Sequence, residues 1–334
     1  LEKTNTNYAQ LVEEFIRNDL TGFKRLYLKD REIKNLILMG DFLTETIFRE
    51  ERQDNIITRA EFEKRYENTV YKTETSLSEE MDIDPEYAAL IVPTMVICKD
   101  FMDLFNAEAL WMPGVSLLDG IAYDFGEKKN FIKSAHNFEN DILVAARNIA
   151  KRYSTGKDHI KGTTDLALAI FDSMKKVHGM GDRERLLLQI AVQLHDCGKY
   201  ISMGDVAECS YQIIMATEII GLSTEERQII ANAVRYNTTE FVYYSEIAGE
   251  VGMDRSVYLL IAKLTAILRI ANAMDRSHYQ KVKNMKAMLK DRTLLLTVDS
   301  EQDISLELGL LMDKVEFFEE VFGIRLVFRR KRKV

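Results

Sequence analysis

Proline is scarce in this chain: three residues in 334, so little interrupts a helix once it has started. Cysteine is equally scarce. Cys98, Cys197 and Cys209 lie far apart and lack metal-ligand spacing, which excludes a disulfide framework and a cysteine-rich zinc module. They read as reduced thiols, and the expected location is cytoplasmic. No apolar run reads as long enough to span a membrane, and Leu1-Glu2-Lys3-Thr4 does not open a signal peptide, so no membrane partner is expected. The chain does not begin with Met and is expected to be a fragment. Positive charge is in deficit, with a net charge of −8. That excludes bulk attraction to polyanions; any polyphosphate site must be a local basic patch, and no specific nucleic acid is expected.

What is present is mostly helix, in a length that suits two or three domains. The fold class expected is α+β multidomain. Residues 1–125 read as α/β: an amphipathic helix at Tyr8–Asp19, a buried strand at Ile33–Met39 ending in Gly40-Asp41, and a helix at Thr44–Glu51. Charged helices follow at Glu61–Tyr71 and Ser76–Met81, then a long apolar helix at Pro85–Phe105. Trp111–Ser116 reads as strand and turn, and Leu117–Phe125 as a helix. Residues 126–138 are polar and Lys-rich, a linker. Residues 139–279 are helix after helix, at Asn140–Tyr153, Thr164–Val177, Arg183–His195, Ala207–Ile219, Glu225–Val234 and Ser256–Ala273. Ser223-Thr224-Glu225-Glu226 is a capping box. Residues 280–334 alternate in strand fashion at Lys281–Lys290, Arg292–Asp299 and Ile324–Arg329, around an amphipathic helix at Leu306–Phe322. This small α/β subdomain holds twelve Lys or Arg against nine Asp or Glu, so the acidic balance sits upstream.

Chemistry concentrates in the helical segment. His195-Asp196 closes one helix, His159 lies upstream before the next, and Asp275 closes a third. Neutral imidazole beside carboxylate suits Mn2+, Fe2+, Mg2+ or Zn2+ without choosing among them. Such an ion polarises a phosphoryl oxygen. Lys199, Arg269 and Arg276 sit near these ligands and suit a phosphate. His136, His178 and His278 read as surface residues, with His278 a weaker option as a supporting group. Two turns, Gly40 and Gly114 with Ser116, each follow an apolar run and could present backbone N–H groups to a phosphate. Arg329, Arg330, Lys331, Arg332 and Lys333 form the strongest cationic run, the best sequence-level polyanion contact.

The order His159 … His195-Asp196 … Asp275 is that of the HD domain. Five stretches together resemble the C-terminal two-thirds of the exopolyphosphatase / guanosine-pentaphosphate phosphatase (Ppx/GppA) family. These are Ile37-Leu38-Met39-Gly40, the helix from Asp84-Pro85-Glu86 through Leu104, Val115-Ser116-Leu117-Leu118-Asp119-Gly120-Ile121, Leu194-His195-Asp196-Cys197-Gly198, and Gly221-Leu222-Ser223-Thr224-Glu225-Glu226-Arg227-Gln228-Ile229-Ile230-Ala231. The resemblance implies a second actin-like (ribonuclease H-like) domain, truncated at its start, over 1–125. An all-α HD-type domain follows over 139–279, and the α/β subdomain with the basic tail ends the chain. It implies phosphate release from polyphosphate or guanosine pentaphosphate, with Mg2+ as cofactor and a homodimer as the assembly. The family's "DxGS" and "GGGS" loops have no counterpart here, so the isolated chain is expected to be inactive in that reaction. Where the family often repeats glycine, Asp41 follows Gly40, and a carboxylate repels phosphate. The family's His-rich loop after the HD pair is Ser202–Glu208 here, which weakens the case for a second ion; Asp205 or Glu208 would have to supply the ligand. Two other readings stay open: a stand-alone HD nucleotide phosphohydrolase, and a non-catalytic polyanion- or nucleotide-binding regulatory module.

Overall fold

The computed structural model describes residues 8–28, 31–40, 42, 55–134, 136–247 and 254–331. The chain divides into two compact units, Leu1–Ala135 and His136–Val334.

The first unit holds α1 (Tyr8–Phe23), a π-helical turn (Lys24–Leu28), β1 (Asn35–Ile37), β2 (Ile56–Thr58), α2 (Arg59–Thr69), α3 (Glu74–Met81), α4 (Pro85–Phe105), β3 (Ala109–Trp111) and α5 (Leu117–Lys128). Its sheet runs β1-β3-β2, with β1 and β3 parallel and β2 antiparallel to β3. β2 was not legible beforehand because three residues are too few to show alternation. α5 runs three residues into the expected linker. The helix expected at Thr44–Glu51 lies outside the described residues. α4 starts at Asp84, whose carboxylate accepts from Glu86 N, and continues through Pro93. It is apolar around most of its circumference because it packs under α1, α2 and α3.

One polar group in α4 is costly. Asp100 is 5% exposed, and its Oδ2 has no hydrogen-bond partner among the described residues. Burial, then the nearby Glu13 carboxylate, pushes its pKa up to about 6. A carboxyl raised this way penalises the fold wherever it is ionised. The penalty is full above about pH 6 and fades as pH falls toward the unfolded value near 4. Asp100→Asn is therefore expected to stabilise the protein by on the order of 2 kcal/mol at pH 8 and by little at pH 4. Thermal melts at the two pH values check this; an equal shift at both would contradict it.

The second unit holds α6 (Phe138–Arg152), α7 (Lys157–Ser173), α8 (Lys175–His178), α9 (Asp182–Leu194), a 3-10 turn (Cys197–Tyr200), α10 (Val206–Ala216), α11 (Thr224–Arg235), α12 (Tyr244–Ile247) and α13 (Arg255–Ala273). After these come β4 (Asn284–Lys290), β5 (Thr293–Asp299), α14 (Ser305–Phe322) and β6 (Arg325–Arg330). The sheet order is β4-β5-β6, antiparallel then parallel. The architecture is helix-rich with two small mixed sheets, consistent with α+β. The predicted capping box opens α11: Glu226 N donates to Ser223 Oγ and Ser223 N to Glu226. Glu226 also takes a bidentate pair from Arg183, tying α9 to α11.

α13 is the axis of this unit, packed by α7, α9, α11 and α14. By length and composition it could cross a membrane, against the expectation that no run is long enough. Of its most apolar 18-residue stretch, 67% is buried, so its apolarity is that of a core helix. His178 also departs from expectation. It is buried, its Nε2 donating to Phe171 O and its Nδ1 accepting from Met180 N, a satisfied turn residue between α8 and α9. Burial pushes the Cys98 thiol up to about 12 and the Cys197 thiol up to about 11, so both pack as protonated apolar groups.

Candidate metal centre

Three elements bring the expected ligands together. His159 lies in the first turn of α7, which begins at Lys157 rather than after it. His195 is the residue that ends α9, and Asp196 follows before the 3-10 turn. Asp275 follows the end of α13. His159, His195 and Asp275 are 2–3% exposed.

The hydrogen bonds settle which nitrogens carry protons. His195 Nδ1 lies 2.7 Å from Val192 O, which can only accept, so this nitrogen donates. His159 Nδ1 lies 2.8 Å from Asp275 Oδ2. Burial pushes the Asp275 carboxyl up, but bonds from His159 and Gln280 outweigh it and hold its pKa below the ordinary range. It is an anion, so His159 Nδ1 donates too. Both Nε2 atoms are then left with lone pairs, and they face each other at 3.1 Å. Two lone pairs at that distance need a cation between or beside them. A proton is one option, but burial, the largest effect on His195, pushes its pKa down and disfavours the imidazolium there.

The remaining groups close the site. Asp196 Oδ1 lies 3.6 Å from His195 Nε2, and its Oδ2 lies 4.0 Å from His159 Nε2 and 3.9 Å from His278 Nε2. Burial raises Asp196, while His195 and Lys199 lower it further, so it stays ionised. Donor atoms of His159, Asp196 and His278 all fall within 4.8 Å of one another. His278 corrects the surface reading. Its ring stacks on His159 with centroids 3.6 Å apart and planes 8° apart. The turn that puts it there needs left-handed backbone at His278 (φ 59°) and Gln280 (φ 47°), which no periodicity announces.

Asp275 takes a different position from the one expected of a ligand. Its Oδ2 accepts from His159 and Gln280 Nε2, and its Oδ1 from Gln280 N. That arrangement orients the His159 ring from behind. The His278 turn is itself clamped from α14: buried Glu307 accepts from Ser277 Oγ at 2.5 Å and Lys281 Nζ at 3.2 Å.

Beside the four-residue cluster opens a cavity of about 540 Å3, lined by Asp196, Lys199, Asp205, Thr238, Arg276 and His278 among others. Lys199 reaches Asp196 Oδ2 at 2.5 Å. Arg276 is exposed at the rim. Arg269 is not there: its guanidinium donates to Tyr236 O and Thr239 O and lies over the Phe317 ring, so it is packing material rather than a phosphate ligand. Glu208 pairs with Arg235. Gly40 and Gly114 belong to the first unit, both with positive φ. Ser116 there is spent as the N-cap of α5, accepting from Asp119 N.

Residues 144–316 match the family model described as Ppx/GppA phosphatase, domain III. No curated protein matches the chain.

Proposed function

This chain belongs to the Ppx/GppA phosphatase family, and we propose that its helical unit is a divalent-cation centre that receives the terminal phosphates of polyphosphate or guanosine pentaphosphate. The observation carrying this reading is the pair of facing Nε2 lone pairs at 3.1 Å, each fixed by an Nδ1 bond to an acceptor. Three imidazoles and one carboxylate would hold the ion: His159, His195, His278 and Asp196. This donor set fits Zn2+ or Fe2+ better than Mg2+. When bound, the ion would polarise a phosphoryl oxygen.

The chain's own residues do the rest. Asp275 and Val192 O keep both Nδ1 protons in place, so both Nε2 atoms stay basic. Lys199 and Arg276 offset phosphate charge in the cavity, and the exposed Thr238 hydroxyl offers a hydrogen bond at its wall. We read the first unit, with its small mixed sheet, as the second actin-like domain. The family's phosphate loops are absent from this sequence, so turnover of polyphosphate by this chain alone is expected to be negligible.

The test is a titration of inorganic triphosphate with and without Mn2+. Mn2+ should tighten binding at least about tenfold, and Lys199→Ala with Arg276→Ala should remove most of that gain. Tight Mn2+-independent binding, unmoved by either variant, would overturn the reading. The cavity beside the cluster favours one second reading, in which the centre itself hydrolyses a nucleotide. Mn2+-dependent phosphate release that disappears in His195→Ala would mark that outcome.

A further inference from the structure

Between α13 and β4 the chain forms a strap, residues 275–281, and this strap delivers His278 to the ion centre. Its backbone is an unfavourable one. His278 (φ 59°) and Gln280 (φ 47°) are both left-handed, a region that residues with a Cβ adopt reluctantly. A turn of this kind relaxes unless its surroundings hold it. Some of the holds come from the strap itself. Asp275 O accepts from His278 N, Asp275 Oδ1 from Gln280 N, and His278 O from Gln280 Nε2. The hold from outside the strap is Glu307, in the first turn of α14.

An acidic residue in a helix's first turn has an ordinary explanation, since the helix dipole favours an anion there. That explanation does not require burial, and Glu307 is only 3% exposed. A carboxylate out of water is costly unless strong donors surround it. Burial pushes the Glu307 pKa up, but bonds from Ser277, its own N–H and Lys281 outweigh that, so it stays an anion. Both oxygens are spent on the strap: Oε1 accepts from Ser277 Oγ at 2.5 Å and Oε2 from Lys281 Nζ at 3.2 Å. One carboxylate therefore grips the strap on both sides of His278.

We propose that Glu307 is the positioning residue that makes His278 a ligand, and that through His278 it sets the metal preference of the centre. The proposal rests on the ion-centre reading. With His278 in place the donors are three imidazoles and one carboxylate, a set that favours Zn2+ over Mn2+. With the strap released, the set falls to His159, His195 and Asp196, and water oxygens take the position given up. Zn2+ loses more by that exchange than Mn2+ does, because imidazole suits Zn2+ and oxygen suits Mn2+. The C-terminal subdomain thus contributes to the centre through a buried anion rather than through its basic run. Of that run, Arg330 donates to Ser300 O and Gln302 O, and Arg332 and Lys333 lie outside the described residues.

The experiment is a chelator-competition titration of the full chain with Zn2+ and with Mn2+. The variants are Glu307→Gln and Ser277→Ala, each made alone and together with His278→Ala. Ser277→Ala cuts the bond beside His278 and leaves the Glu307–Lys281 pair intact, so it carries the test if Glu307→Gln fails to fold. Each single variant should weaken Zn2+ binding about tenfold and Mn2+ binding less than about threefold. In the His278→Ala background neither should change Zn2+ affinity by more than about twofold, since residues acting through one ligand are not additive. Zn2+ affinity unchanged in the folded single variants would overturn the proposal and leave the ion centre standing. Full, multiplicative losses in the His278→Ala background would also overturn it, since they would make Glu307 a general support of the fold. A wild-type chain that takes up neither ion would overturn the ion centre and this proposal together.

Discussion

Gly198→Ala is expected to destabilise the helical unit by on the order of 3 kcal/mol. A Cβ at this position would lie 2.3 Å from Val206 O, 2.6 Å from Ser210 N and 2.6 Å from Ser210 Oγ. Two of those atoms are backbone, so no rotamer change relieves the clash. The turn after His195-Asp196 sits this close to the start of α10 because Gly198 N donates to Ser210 Oγ at 2.9 Å. Ser210→Ala removes that bond without adding bulk, and should cost about 1 kcal/mol. Urea unfolding of the full chain compares the two. A Gly198→Ala midpoint equal to wild type would show that the turn has room for a side chain and that the close approach is no packing requirement. The glycine of the Leu194-His195-Asp196-Cys197-Gly198 stretch is thus a packing requirement that holds His195 and Asp196 in place.

The second large effect is expected at the histidine pair. His195→Ala removes one of the two facing nitrogens, and His159→Ala the other. Either should lower Zn2+ affinity by more than about a hundredfold, since each deletes a donor outright. Asp275→Asn keeps a group near His159 Nδ1 but loses the charge that fixes its tautomer. Its expected cost is smaller, about ten- to a hundredfold. A competition titration with a chelator reads all three, and melts of the same samples separate lost binding from lost folding. An Asp275→Asn loss as large as that of His195→Ala would make Asp275 a ligand after all.

Much of the helical unit could be read from the chain. Three- and four-residue periodicity gave α6, α9, α10, α11 and α13 within a few residues, because each buries one face or more against its neighbours. The convergence of His159, His195 and Asp196 was legible too, since helix ends and chain order constrained it. Other parts were not. His278 enters the site through two left-handed residues, and a single sequence does not display backbone that only tertiary contacts hold in place. Arg269 looked like a phosphate ligand because its neighbours in sequence are functional, yet its side chain leaves toward Phe317. Asp275 shares its residue type with a ligand, and only its bonds to His159 and Gln280 separate orienting from binding.

An ion centre in the helical unit requires a metal ion at the two imidazole nitrogens of His159 and His195. Crystals of the full chain grown with Zn2+ and measured at the zinc absorption edge test that directly. The prediction is one anomalous peak about 2.0–2.1 Å from both His159 Nε2 and His195 Nε2, with Asp196 in contact. A map with no peak there, and a proton shared between the two rings instead, would contradict it.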